Sequence, residues 1–268
     1  MVFIREKKIA CGNYMEVDIL PRTIEAENVA RRGARRKKER VSAPKQRNLN
    51  EKNAKRYFLE LGNGNFGWGD WHVTLTYSEE FEPATVDEAE HEVGNYIKRL
   101  KYKRKKLGID PLKYILVSEY KVDENGEFTT KIHHHLIMNG DESGALTRDD
   151  VEDVWSKRIK GKGKHPIGLV NSRRLQPNEN GIEGLLKYLS KDPKGKKRWS
   201  ASRNLKVPFK LPTNDTFYRK SKIEKLAMQP DQGREYFERR YKKFRISKIE
   251  FFYYERTGWH VYLKMWRI

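Results

Sequence analysis

The chain predicts an α+β fold built on a mostly antiparallel sheet. Strand and helix signals alternate irregularly, without the strict strand–helix–strand rhythm of a doubly wound parallel sheet. Two β-rich runs, 113–120 and 128–138, are separated by the turn-forming Asp123-Glu124-Asn125-Gly126, which makes them an antiparallel hairpin. No glycine-rich phosphate loop of the Walker type occurs.

The elements follow in order. Residues 1–20 read as two short strands around the turn Cys11-Gly12-Asn13. Residues 31–40 carry seven cations and one acid with no apolar stripe, a basic arm or helix. A helix is expected over 48–60, with Ala54, Phe58 and Leu61 on one side, broken by Asn63, Gly64 and Gly67. The alternating Trp71–Tyr77 is a strand. Residues 85–107 form a long helix whose inner stripe is Val86, Ala89, Val93, Tyr96, Ile97 and Leu100, ending in a cationic cluster at 98–106. After the hairpin, Thr147 caps a short helix holding Val151, Val154 and Trp155. A Gly/Lys loop at 160–164 precedes a strand near 168–175, and Gly181–Lys191 is a helix stopped by Asp192-Pro193. A basic loop at 194–208 follows. The last fifty residues hold one or two charged helices and a hairpin of 248–255 and 259–266, turning at Thr257-Gly258.

Composition narrows the function classes. The 268 residues carry a net charge of +20, with 37% hydrophobic and 35% charged residues, and a pI of about 9.8. Such a surface favours a polyanion, with nucleic acid ahead of an anionic membrane. No apolar run is long enough to span a bilayer, and no secretory signal is recognisable, so the expected location is the cytoplasm and no membrane partner is expected. The single cysteine, Cys11, rules out intrachain disulfides and multi-cysteine zinc sites.

Chemistry concentrates in two segments. In Lys131–Met138, alternation on a strand projects His133 and His135 to one face and Ile132, His134 and Leu136 to the other. Two imidazoles so spaced can share a divalent ion. If the hairpin pairs, Glu119 supplies a third ligand, as the only acid in an otherwise apolar run beside Ile115 and Val117. Two histidines and a carboxylate suit Mg²⁺ or Mn²⁺. The second segment is Tyr188-Leu189-Ser190-Lys191, which puts a phenol and an ammonium on one helix face. Alone, Tyr-x-x-Lys is a common helical pair. Its weight comes from the histidine strand and the charge around it.

With these blocks in view, the chain resembles the HUH endonucleases, specifically the single-tyrosine rolling-circle replication initiators of phages and plasmids. His72-Val73-Thr74-Leu75-Thr76-Tyr77 resembles the Thr-rich first motif, His133-His134-His135 the second, and Tyr188–Lys191 the third. Lys197–Leu205 is similar to the stretch that follows the tyrosine helix, and the whole resemblance spans roughly residues 70–210. It implies an antiparallel sheet of about five strands with flanking helices, a relative of the RRM and ferredoxin-like folds. It also implies three parts: a basic N-terminal extension at 1–60, the endonuclease core at 61–212, and a C-terminal helix and hairpin at 213–268 packing on that core.

The implied activity is nicking of single-stranded origin DNA. Tyr188 would be the nucleophile, assisted by Lys191, with a divalent metal on His133, His135 and Glu119. The products would be a 5′-phosphotyrosine and a free 3′-OH for rolling-circle replication by a host helicase and DNA polymerase. Arg35, Arg36, Lys37, Lys196, Lys197, Arg198 and Arg203 are expected on the DNA backbone, with Trp199 against a base or in the core. The cluster at 98–106 is also expected on the backbone. A single-tyrosine transposase, a mobilisation relaxase and a non-catalytic nucleic-acid-binding protein remain as alternatives.

Overall fold

The N-terminal residues Val2–Cys11 (β1) and Tyr14–Thr23 (β2) pair antiparallel through a turn in which Gly12 takes φ +57. Helix Ile24–Arg31 (α1) follows β2, and Pro44–Asn65 (α2) precedes the central sheet. The computed structural model describes residues 2–31, 44–125, 127–191 and 199–268. Arg35, Arg36, Lys37, Lys196, Lys197 and Arg198 therefore lie outside the described residues. Two units divide the chain: 66–205, and 206–268 together with the residues up to 65.

Unit 66–205 carries the site. Its elements are Trp71–Thr76 (β3), Val86–Leu107 (α3), Tyr114–Val122 (β4), Phe128–Met138 (β5), Arg148–Glu152 (α4), Ser156–Ile159 (β6), Gly163–Pro166 (β7), Val170–Arg174 (β8), Glu183–Leu189 (α5) and Ser200–Ala201 (β9). Five strands form one antiparallel sheet in the order β8-β3-β5-β4-β9. The expected α+β architecture is thus observed, with β5 and its histidines in the centre.

The two faces of this sheet differ because strand residues alternate. Val73, Leu75, Leu116, Leu136 and Met138 turn to one face and pack with Val93, Tyr96, Ile97 and Leu100 of α3 and with Trp155. Helix α3 starts at Thr85, whose hydroxyl accepts from the Glu88 amide, a cap worth about 1 kcal/mol. It ends at Gly108 in the left-handed conformation. Thr147 and Asp150 complete a reciprocal capping box on α4. The Gly/Lys loop expected at 160–164 is the turn between β6 and β7.

The cluster at 98–106, expected on the DNA backbone, is not uniformly a phosphate grip. Arg104 is buried and donates to the carbonyls of Asp110, Asn139 and Gly140. Lys103 pairs with Asp150, and Arg99 with Glu92. The helix turns one cation in every three or four towards its own unit, so Lys101, Tyr102, Lys105 and Lys106 are the members left exposed.

The other unit adds Phe209–Lys210 (β10), Lys220–Ala227 (α6), Arg234–Arg240 (α7), Phe244–Tyr254 (β11) and Gly258–Arg267 (β12). N- and C-terminal strands share one sheet, in the order β10-β1-β2-β12-β11. Val17, Ile19, Val261, Leu263 and Met265 pack with Ile223, Leu226 and Phe237 in its core. Against the β1–β2 turn, Gly64 of α2 leaves no room for a side chain: a Cβ there would lie 2.2 Å from Cys11 Sγ. Buried Glu60 is held beside Glu16 by Arg56, and burial and Glu16 push its carboxyl up to about 7.

Candidate metal centre and tyrosine helix

Register places the ligands. Glu119 of β4 lies directly across from His133 of β5, and Thr76 of β3 lies across from His133 on the other side. The next row on this face is Val117, His135 and Thr74. Glu119, His133 and His135 thus project together from the face opposite the α3 core, and one ligand atom from each falls within 4.8 Å of the others. Glu119 Oε2 is 3.3 Å from His133 Nε2 and 3.5 Å from His135 Nε2.

The group is able to hold a metal ion, and the chemistry of its atoms fits one. His135 Nε2 is buried without a hydrogen-bond partner while facing this carboxylate. A buried polar atom left so costs free energy unless something binds it. Burial and the neighbouring His133 hold His135 below the usual histidine range, against the pull of Glu119, so its imidazole is neutral, as a ligand must be. His133 Nδ1 lies 3.3 Å from the Lys131 carbonyl. A carbonyl only accepts, so the proton sits on Nδ1 and Nε2 is free to ligate. Glu119 is 55% exposed. Burial therefore does not demand a partner for it, contrary to the expectation from the apolar run, and its place in the trio rests on register.

His134 takes no part. It points into the α3 face, buried, with Nδ1 2.7 Å from Ser118 Oγ and Nε2 2.9 Å from the Tyr77 hydroxyl. Burial pushes it down to about 3, so it is a neutral core histidine.

Two residues behind the trio were not foreseen as site residues. His72 Nε2 is 3.2 Å and Thr74 Oγ1 3.3 Å from His135 Nδ1. The His72 ring stacks on that of His135 at 5.4 Å. Burial, helped by His135 and Arg173, pushes His72 down to about 4, so it is neutral and can accept. With Nε2 of His135 turned to the ligand position, its proton lies on Nδ1, and these two groups receive it. The alternation of His72, Thr74 and Thr76 along β3 was the available signal.

Helix α5 lies on the same face. Leu186 and Leu189 are buried while Tyr188 is 49% exposed. The Tyr188 ring meets His135 edge-on, with centroids 6.0 Å apart. Lys191, just past the helix end, puts Nζ 5.4 Å from the centre of the Tyr188 ring. Among the other expected residues, Trp199 and Arg203 flank β9 at the far edge of the sheet, beyond β4.

An antiparallel sheet that presents two imidazoles and a carboxylate, with a half-exposed tyrosine beside them, defines a candidate metal centre. Residues 70–193, from the start of β3 past the end of α5, match the model of a family of replication-associated proteins, the ORF2 type. That segment contains Glu119, His133, His135, Tyr188 and Lys191, and the match is consistent with a rolling-circle replication initiator. Neither the curated proteins nor the solved structures contain a significant match to the chain. No helix among the described residues is long and apolar enough to cross a membrane.

Proposed function

We propose that this chain is a replication-initiating endonuclease that nicks single-stranded origin DNA and remains attached to it through Tyr188. The observation that carries this reading is the meeting of Tyr188 with His135, inside the segment that resembles replication-associated proteins and beside a group suited to a divalent ion.

Glu119, His133 and His135 would hold Mg²⁺ or Mn²⁺, whose contribution when bound is to polarise a nonbridging oxygen of the scissile phosphate. The protein's own groups do the rest. Half-exposed Tyr188 offers its hydroxyl oxygen to the phosphorus from the ligand side of the sheet. The Tyr188 oxygen–phosphorus bond forms, the bond from phosphorus to the 3′-oxygen breaks, and the released 3′-oxygen takes a proton. Lys191 offsets negative charge as the phenol proton leaves. His72 and Thr74 keep His135 in the tautomer and orientation that ligation requires.

The products are a 5′-phosphotyrosine and a free 3′-OH, which primes a DNA polymerase. The sequence has no helicase motif, so a separate helicase opens the duplex. The chemistry belongs inside the host cell. Arg203 and Trp199, together with Arg35, Arg36, Lys37 and Lys196 to Arg198, serve the DNA strand.

The test is covalent trapping. Origin single strands labelled at the 3′ end are mixed with protein in Mn²⁺ or EDTA and run on a denaturing gel. A metal-dependent protein–DNA band, absent in Tyr188→Phe, is the expected result. Cutting with no adduct would assign the site to a water-using nuclease, and binding without cutting to a binding module.

A further inference from the structure

The α3 face of the sheet has its own opening to solvent at the β4–β9 edge. Tyr114 of β4 is shared by two cavities there. One, of about 820 Å³, is lined by Lys101 and Lys105 of α3 and by Arg203, and no acidic side chain lines it. Among the described residues, none of these three cations has a carboxylate partner in an ion pair, unlike Lys103 and Arg99 on the same helix. The other cavity, of about 250 Å³, lies over Gly94 and is bordered by Tyr120, Trp199 and Glu90.

Gly94 is the odd residue of α3. A glycine inside a helix destabilises it relative to alanine. Neither packing nor a left-handed backbone requires glycine here, because a Cβ at Gly94 would meet nothing within 4 Å. What a larger side chain would do is occupy the cavity. Leu116 and Ser118 line this cavity, whereas Val117 and Glu119 alternate to the opposite face. The groove is therefore separate from the metal centre.

We infer that this groove is a second binding site for single-stranded nucleic acid: phosphates lie along Lys101, Lys105 and Arg203, and an unpaired base enters the pocket over Gly94. A cationic track leading into an aromatic-walled, base-sized pocket is the pairing that single-strand recognition uses. Glu90 at the mouth accepts from an N–H on the base edge. The inference rests on single-stranded DNA being the substrate, and it places part of that strand across the sheet from the reacting phosphate.

The test is fluorescence anisotropy of a labelled, mixed-sequence single-stranded 20-mer with the full chain in EDTA, at fixed salt. Gly94→Leu should weaken binding about tenfold, the loss of one stacked base. Gly94→Ala should bind like the unchanged protein, because a methyl group leaves the cavity open. Lys101→Glu with Arg203→Glu should weaken binding at least as much and flatten the salt dependence. Thermal melts check the fold, and both Gly94 variants should melt no lower than the parent. If Gly94→Leu and the charge-reversed variant bind like the parent, and the parent still forms its adduct, the groove is overturned and the nicking reading stands. If the parent binds no single strand and forms no adduct, both fall together.

Discussion

The pair His72 and Thr74 sets a quantitative prediction for the metal centre. One proton on His135 Nδ1 faces two acceptors at nearly equal distance, 3.2 and 3.3 Å. Removing either leaves the other in place. His72→Phe keeps the ring stack, and Thr74→Val keeps the shape of the strand, so each single variant should lose little Mn²⁺ affinity, about twofold to fivefold. Removing both leaves Nδ1–H without a partner in a buried position. The ring is then free to turn or to change tautomer, and the outer-shell contribution of about 10–100-fold in metal affinity should be lost, about 1.4–2.7 kcal/mol. The effects should therefore be strongly non-additive in a double-mutant cycle. Calorimetric titration with Mn²⁺ measures it, with thermal melts to verify the fold. Additive single effects, or a double variant that binds Mn²⁺ like the parent, would refute the account of His135.

Other expectations can be checked alongside. Glu119→Ala should abolish metal-dependent adduct formation while leaving the melting temperature nearly unchanged, because the side chain is mostly exposed; the trapping gel and a melt decide it together. Glu60 has a carboxyl raised from 4.5 to about 7 by burial and Glu16. Its protonated form is favoured in the folded state, so its contribution is complete below pH 4.5 and is lost as pH rises through 7, by about 3 kcal/mol. Denaturant unfolding at pH 5 and pH 8 should show that fall in the parent and a flatter profile in Glu60→Gln, and parallel profiles would count against it. Arg104→Met leaves three carbonyls without their donor and should destabilise unit 66–205 by about 3 kcal/mol or more.

Much of the site was legible in the order of residues alone. The period of two along 128–138 separated His133 and His135 from His134, and the hairpin turn brought Glu119 to the same rows. The stripe from Ala89 to Leu100 marked the helix that covers the other face. Each depends on residues close together in the chain. Glu119 was the right residue, but burial was the wrong reason for it, because the strand end that carries it emerges into solvent.

Sequence by itself determined the strands, the helices and the sides on which their side chains stand, since backbone periodicity is a local property of neighbouring residues. Tertiary structure alone decided who meets whom: Tyr188 against His135, His72 and Thr74 behind it, Arg104 turned inward while Lys101 and Lys105 stay in solvent, and β2 paired with β12 from the opposite end of the chain. An alternating pattern states which face a strand offers, but not which distant strand or helix covers it. That choice is made by the burial and hydrogen bonding of the whole unit, which no single stretch of residues encodes.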